Sequence, residues 1–140
     1  MTYNEDRIII QKKGMYDMKV SSYYPMFFVK DIESEIKRYE EDFGFELLHH
    51  PKIDRIDLYV LGVGDGTRIN LIHSDLPNFQ SLEDGFIGIC VNVDDFDEGV
   101  AYFEGKGYNK ISPVKETESF KLIVLKKNDH DHVSVFYHKK

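Results

Sequence analysis

The chain has 140 residues, 41% hydrophobic and 31% charged, with a formal net charge of −7, which describes one folded domain rather than a disordered segment. The acidic balance argues against a nucleic-acid partner, whose binders present a basic face, and mildly favours cationic ligands. No apolar run approaches the roughly 20 residues that span a bilayer, and the single cysteine, Cys90, excludes an internal disulfide and fits a cytoplasmic setting.

Residues 1–22 read as an N-terminal extension, polar apart from "RIII" at 7–10. A loose tail, a strand lent to a neighbour and an upstream start all remain open for it. One domain then occupies residues 23–140. In "YPMFFVKD" an apolar run ends in an aspartate, and Ile32, Ile36, Tyr39 and Phe43 follow at helical spacing. Asp31 stands at the N-cap position and Gly44 where the helix should stop. "FELLHHP", "RIDLYVLG" and "RINLIHS" read as strands, the last two joined by "GVGDGT". That glycine-rich stretch is a hairpin turn, because a phosphate loop needs a helix after it and here a strand follows.

After a polar linker at 74–85 the plan returns. "FIGICVNVDD" ends in aspartates, and Phe96, Val100 and Phe103 repeat the helical face behind an Asp95–Glu98 capping-box spacing. An offset of 64 residues matches Val29 with Val93, Asp31 with Asp95 and Ile36 with Val100. "NKISPV", "SFKLIVLKK" and "HVSVFYH" supply three more strands. The fold expected is α+β, a βαβββ unit twice over, with module one at 23–74 and module two at 86–140.

The stretches "FFVKDIESEIKRYEEDFGF", "GDGTRINLIHS" and "VNVDDFDEGVAYFEGKGY" resemble the vicinal-oxygen-chelate superfamily, which includes glyoxalase I, extradiol dioxygenases, methylmalonyl-CoA epimerase and bleomycin resistance proteins. The likeness runs from about Tyr24 to His138. It implies an open mixed-sheet cup with the helices on its outer face and a ligand inside. Strand alternation then turns Tyr24, Met26, Phe28, Arg68, Asn70, Gly88, Cys90, Asn92, Ser134, Phe136 and His138 inward. Ile69, Leu71, Val133, Val135 and Tyr137 go beneath the helices. On the third strand it assigns Ile56, Leu58 and Val60 to the helix side and Asp57, Tyr59 and Leu61 to the cavity. There Asp57 and Arg68 could pair or meet a charged ligand, while Tyr24, Phe28, Tyr59 and Phe136 form a stacking wall.

The resemblance puts the four metal-ligand positions of metal-dependent members at Tyr24, Asn70, Gly88 and Phe136, none of them a good ligand for a divalent transition metal. The expectation is therefore no metal and no cofactor. The bleomycin-resistance type supplies the leading function: non-catalytic sequestration of an aromatic or cationic small molecule, in a homodimer, with no membrane or nucleic-acid partner. The alternative is a lyase, isomerase or dioxygenase-type enzyme with relocated acid–base or metal groups, the acid–base chemistry coming from Tyr24, Asp57 or His138, of which an inward His138 is the first candidate. "DHDH" at 129–132 reads as a turn that leaves His130 and His132 exposed. His49 and His50 read as surface residues, and Cys90 as a small packing residue.

Overall fold

A computed structural model describes residues 20–64 and 66–139. The expectations for "RIII" and for the rest of residues 1–19 lie outside that range. Ten strands and two helices follow in the order β1 (Val20–Phe28), α1 (Ile32–Phe43), β2 (Glu46–His49), β3 (Lys52–Ile53), β4 (Ile56–Val63), β5 (Thr67–Ser74), β6 (Gly85–Val93), α2 (Phe96–Gly105), β7 (Asn109–Lys110), β8 (Lys115–Glu116), β9 (Phe120–Asn128) and β10 (Asp131–His138). β1 thus reaches back to Val20, into the stretch read as extension.

All ten strands join one mixed sheet, with β2-β4-β5-β1-β6-β10-β9-β7 as its path and β3 and β8 as short additions. Within module one β1 pairs in parallel with β5, and β5 is antiparallel to β4. Module two repeats this with β6, β10 and β9. The modules join edge to edge, because β1 and β6 are antiparallel neighbours at the sheet's centre. Met26 lies opposite Asn70, and Cys90 opposite Ser134, each 64 residues on. The duplication expected from the sequence is therefore a duplication of strand register.

Both helices start as their aspartates dictate. Asp31 accepts from the Ser34 amide at 3.2 Å and Asp95 from the Glu98 amide at 3.0 Å, a cap worth about 1 kcal/mol each. α1 ends at Gly44, whose φ of 74° is left-handed. Beneath α1, Ile32, Ile36 and Tyr39 pack on Val29, Leu61, Ile69 and Leu71. Beneath α2, Phe96 and Val100 pack on Val91, Val93, Ile123, Val133 and Val135. A third cluster fills the other face of the sheet, with Met26, Phe28, Leu58, Ile72, Phe79, Leu122 and Val124 at its centre. The cup's lower half is thus packed with its own side chains, and only its mouth is open.

One expected facing is reversed. On β4, Ile56 and Leu58 belong to the cup cluster and Val60 lines its wall, whereas Tyr59 and Leu61 lie on the α1 side. The pairing with β5 sets this, since Tyr59 and Leu61 stand opposite the helix-facing Leu71 and Ile69, and directly opposed residues share a face. β4 is apolar on both faces, so its own alternation carries no sign.

Candidate functional site

The open end of the cup holds a cavity of about 520 Å³, a size suited to a small organic ligand. β2, the residues after it and the start of β3 bring His49, His50 and Lys52 to one side, and module two brings Lys115, Phe120, Phe136 and His138 to the other. A narrower recess continues toward the floor between Tyr24, Val60, Arg68, Cys90 and Asn92, sharing His49, Phe136 and His138 with the outer cavity. Phe136 stacks on Phe120 at 5.0 Å and holds the His138 ring at 4.6 Å.

The rim is locally basic on an acidic protein. Lys115 and Arg68 have no carboxylate partner among the described residues, and Lys52 reaches Asp57 only at 3.8 Å. Partial burial, then the neighbouring His49, push the His138 imidazole below its ordinary pKa. It is therefore neutral, and able to take a proton, at neutral pH.

Of the residues assigned to the site from sequence, Tyr24, Arg68, Cys90, Asn92, Phe136 and His138 meet around the recess. Met26 and Phe28 are instead buried in the packed floor, Phe28 against Phe79. Asn70 is buried, and its Oδ1 has no hydrogen-bond partner. Asp57 and Tyr59 leave the cavity for the reason given above. Asp57 turns to His50 at 3.5 Å rather than to Arg68, and the Tyr59 ring stacks on His50 at 3.8 Å. The four-ring wall does not assemble. Cys90 is buried, and desolvation pushes its thiol up to about 11, so it is no nucleophile at neutral pH.

One histidine behaves differently from expectation. His132 is 2% exposed, stacked on Phe79 and bonded through Nδ1 to the Ile87 carbonyl at 3.3 Å. β10 starts at Asp131, so His132 shares the inward parity of Ser134 and Phe136; alternation alone finds it once the turn is shortened. His130 is exposed as expected. His49 and His50 are exposed yet line the cavity mouth. A register shift between Leu47 and His49 on β2 turns His49 toward the cup beside Val60, and no alternation rule reveals a bulge.

The residues do not fit the divalent metal that the resemblance implies. The repeat sets Ser134, not Phe136, at the position matching Asn70. The four slots then hold Tyr24, Asn70, Gly88 and Ser134, which offer only neutral oxygens and one bare backbone. A Cβ on Gly88 would also collide with the His132 carbonyl oxygen, so β10 leaves no room for a ligand side chain there. Among the described residues no group of three His, Cys, Asp or Glu side chains could hold a metal.

No protein-family profile and no curated protein matches the chain. Solved structures do. A methylmalonyl-CoA epimerase from Mycobacterium tuberculosis superposes with a TM-score of 0.67 at 15% identity, over 89% of this chain and 92% of that one. A single-substitution variant of the Streptomyces coelicolor methylmalonyl-CoA epimerase, in complex with 2-nitronate-propionyl-CoA, gives 0.65 at 13%, over 89% and 100%. A hypothetical protein from Bacillus halodurans C-125 gives 0.62 at 16%, over 89% and 96%. These likenesses establish the glyoxalase-like fold. They also overturn the expectation of a non-catalytic protein that sequesters an aromatic or cationic ligand, because the functionally named neighbours above are methylmalonyl-CoA epimerases. No helix among the described residues is long and apolar enough to cross a membrane.

Proposed function

We propose that this chain is an isomerase-type enzyme that moves a proton at a carbon beside a carbonyl, on an anionic acyl substrate, without a divalent metal. One observation carries the reading: His49 and His138 flank a cavity whose rim bears Lys52 and Lys115 and whose inner recess holds Arg68. The cations favour a carboxylate, a phosphate or the phosphates of a CoA thioester. The fold neighbours named for methylmalonyl-CoA support the thioester class.

In this scheme neutral His138 removes the α-proton, and the C–H electron pair moves toward the carbonyl oxygen to form an enolate. His49, on the other side of the cavity, is the group placed to deliver a proton to the opposite face. Such positioned acid–base groups each contribute about 10²- to 10⁴-fold. Activity falls as pH drops through the depressed His138 pKa, because the base is then already protonated. A homodimer belongs to the same reading, supported by the exposed rings of Tyr23 and Phe86 on the outer face; light scattering in solution tests it.

The activity test is α-deuterium incorporation in D2O, followed by NMR, with methylmalonyl-CoA, propionyl-CoA and other α-substituted thioesters. The wild type should exchange at least one of them, and His138→Ala should lose about a hundredfold or more of that rate. Wild-type protein inert toward the whole panel, or a His138→Ala variant as fast as wild type, contradicts the assignment.

A further inference from the structure

We infer that the Tyr24 phenol is a pre-oriented hydrogen-bond donor to a planar oxyanion of the substrate, an inference that rests on the enzyme reading above. Tyr24 lines the recess beside Arg68, Cys90 and His138. Its hydroxyl belongs to a closed triangle of side chains from the two central strands. The Asn92 amide nitrogen donates to Ser22 Oγ at 2.6 Å and to the Tyr24 oxygen at 2.9 Å. Ser22 Oγ in turn donates to the Tyr24 oxygen at 3.1 Å.

Proton counting gives the consequence. An amide NH2 can only donate, and here both of its hydrogens are used. The Ser22 and Tyr24 hydroxyls share one proton between them; with Ser22 donating, the phenol oxygen accepts two bonds and its own proton is left for the recess, the arrangement an oxyanion there selects. An enolate needs such a donor, held by neighbouring side chains beside charge that develops during reaction.

The probe is 2-nitronate-propionyl-CoA, which carries a planar oxyanion on the acyl group, titrated against propionyl-CoA, which does not. Calorimetry on the wild type should show tighter binding of the nitronate. Tyr24→Phe should weaken nitronate binding about ten- to a hundredfold and leave propionyl-CoA within about twofold. Asn92→Ala, which frees the phenol to turn back on Ser22, should give a smaller loss in the same direction and serves if Tyr24→Phe does not fold. No preference for the nitronate in the wild type, an undiminished preference in Tyr24→Phe, or equal loss of both ligands overturns the assignment. The exchange assay separates the two readings. Exchange in wild type with nitronate affinity indifferent to Tyr24 removes only the phenol's role. Nitronate binding through Tyr24 without any exchange removes the enzyme reading and keeps the oxyanion site.

Discussion

The two modules share one backbone plan but use it differently. At matching positions module one carries Tyr24, Glu35 and Arg68, and module two carries Gly88, Gly99 and His132. α2 sits down on the sheet because Gly99 has no side chain; a Cβ there would lie 3.0 Å from Val93 and 3.3 Å from Val135. It buries Phe96, Gly99 and Val100, whereas α1 buries no residue fully. Strand β10 likewise closes over Gly88, and His132 is buried where its counterpart Arg68 remains half-exposed. A duplicated scaffold has thus become a tightly packed half and a looser half, and the cavity opens where they meet.

The matching positions make that contrast breakable. Gly88→Ala forces a methyl into the His132 carbonyl and should cost about 3 kcal/mol or more. Tyr24→Ala, at the repeat-equivalent position, should cost about 1 to 2 kcal/mol because its ring is only half-buried. Urea denaturation reads both, and equal costs would show that the halves are packed alike.

His132 yields the next effect. Burial lowers its pKa from 6.5 to about 4, so the unfolded chain binds the extra proton first. Stability is therefore lost as pH falls from about 6.5 to about 4, by about 3 kcal/mol in total from this group. His132→Gln should flatten that part of the pH profile, and a variant as acid-sensitive as the wild type would show that the buried imidazole is not responsible. Smaller is Gly99→Ala, expected to destabilise by about 1 kcal/mol despite its better helix propensity. Glu35→Ala in α1 should change stability by less than about 0.5 kcal/mol, since only an exposed pair with Arg38 is lost.

The repeat was legible because its signals are local. An aspartate cap, three apolar residues at helical spacing and a closing turn are written into neighbouring residues, and they recur 64 positions on. The site was legible where alternation along a strand has a clear sign, as on β1, β5, β6 and β10, which carry Tyr24, Arg68, Cys90, Asn92, Phe136 and His138. On β4 both faces are apolar, so Asp57 and Tyr59 were turned the wrong way; only pairing across to β5 decides them. His132 was hidden because "DHDH" has turn composition, while a ladder with Gly88 draws its last residue into the strand. His49 depended on a bulge, and the Ser134 slot on an exact register between distant strands. Such features are tertiary, and no short stretch of sequence encodes them.

The proposed function rests on proton transfer by side chains in a cup whose four ligand slots offer only neutral oxygens and a bare backbone. The most direct measurement is α-deuterium exchange on the CoA-thioester panel after exhaustive treatment of the protein with a chelator, with and without returned Mn²⁺, Co²⁺ or Zn²⁺. Side-chain proton transfer predicts exchange that survives the chelator and is unchanged by each metal. Exchange that vanishes with the chelator and returns with one of these ions would contradict it.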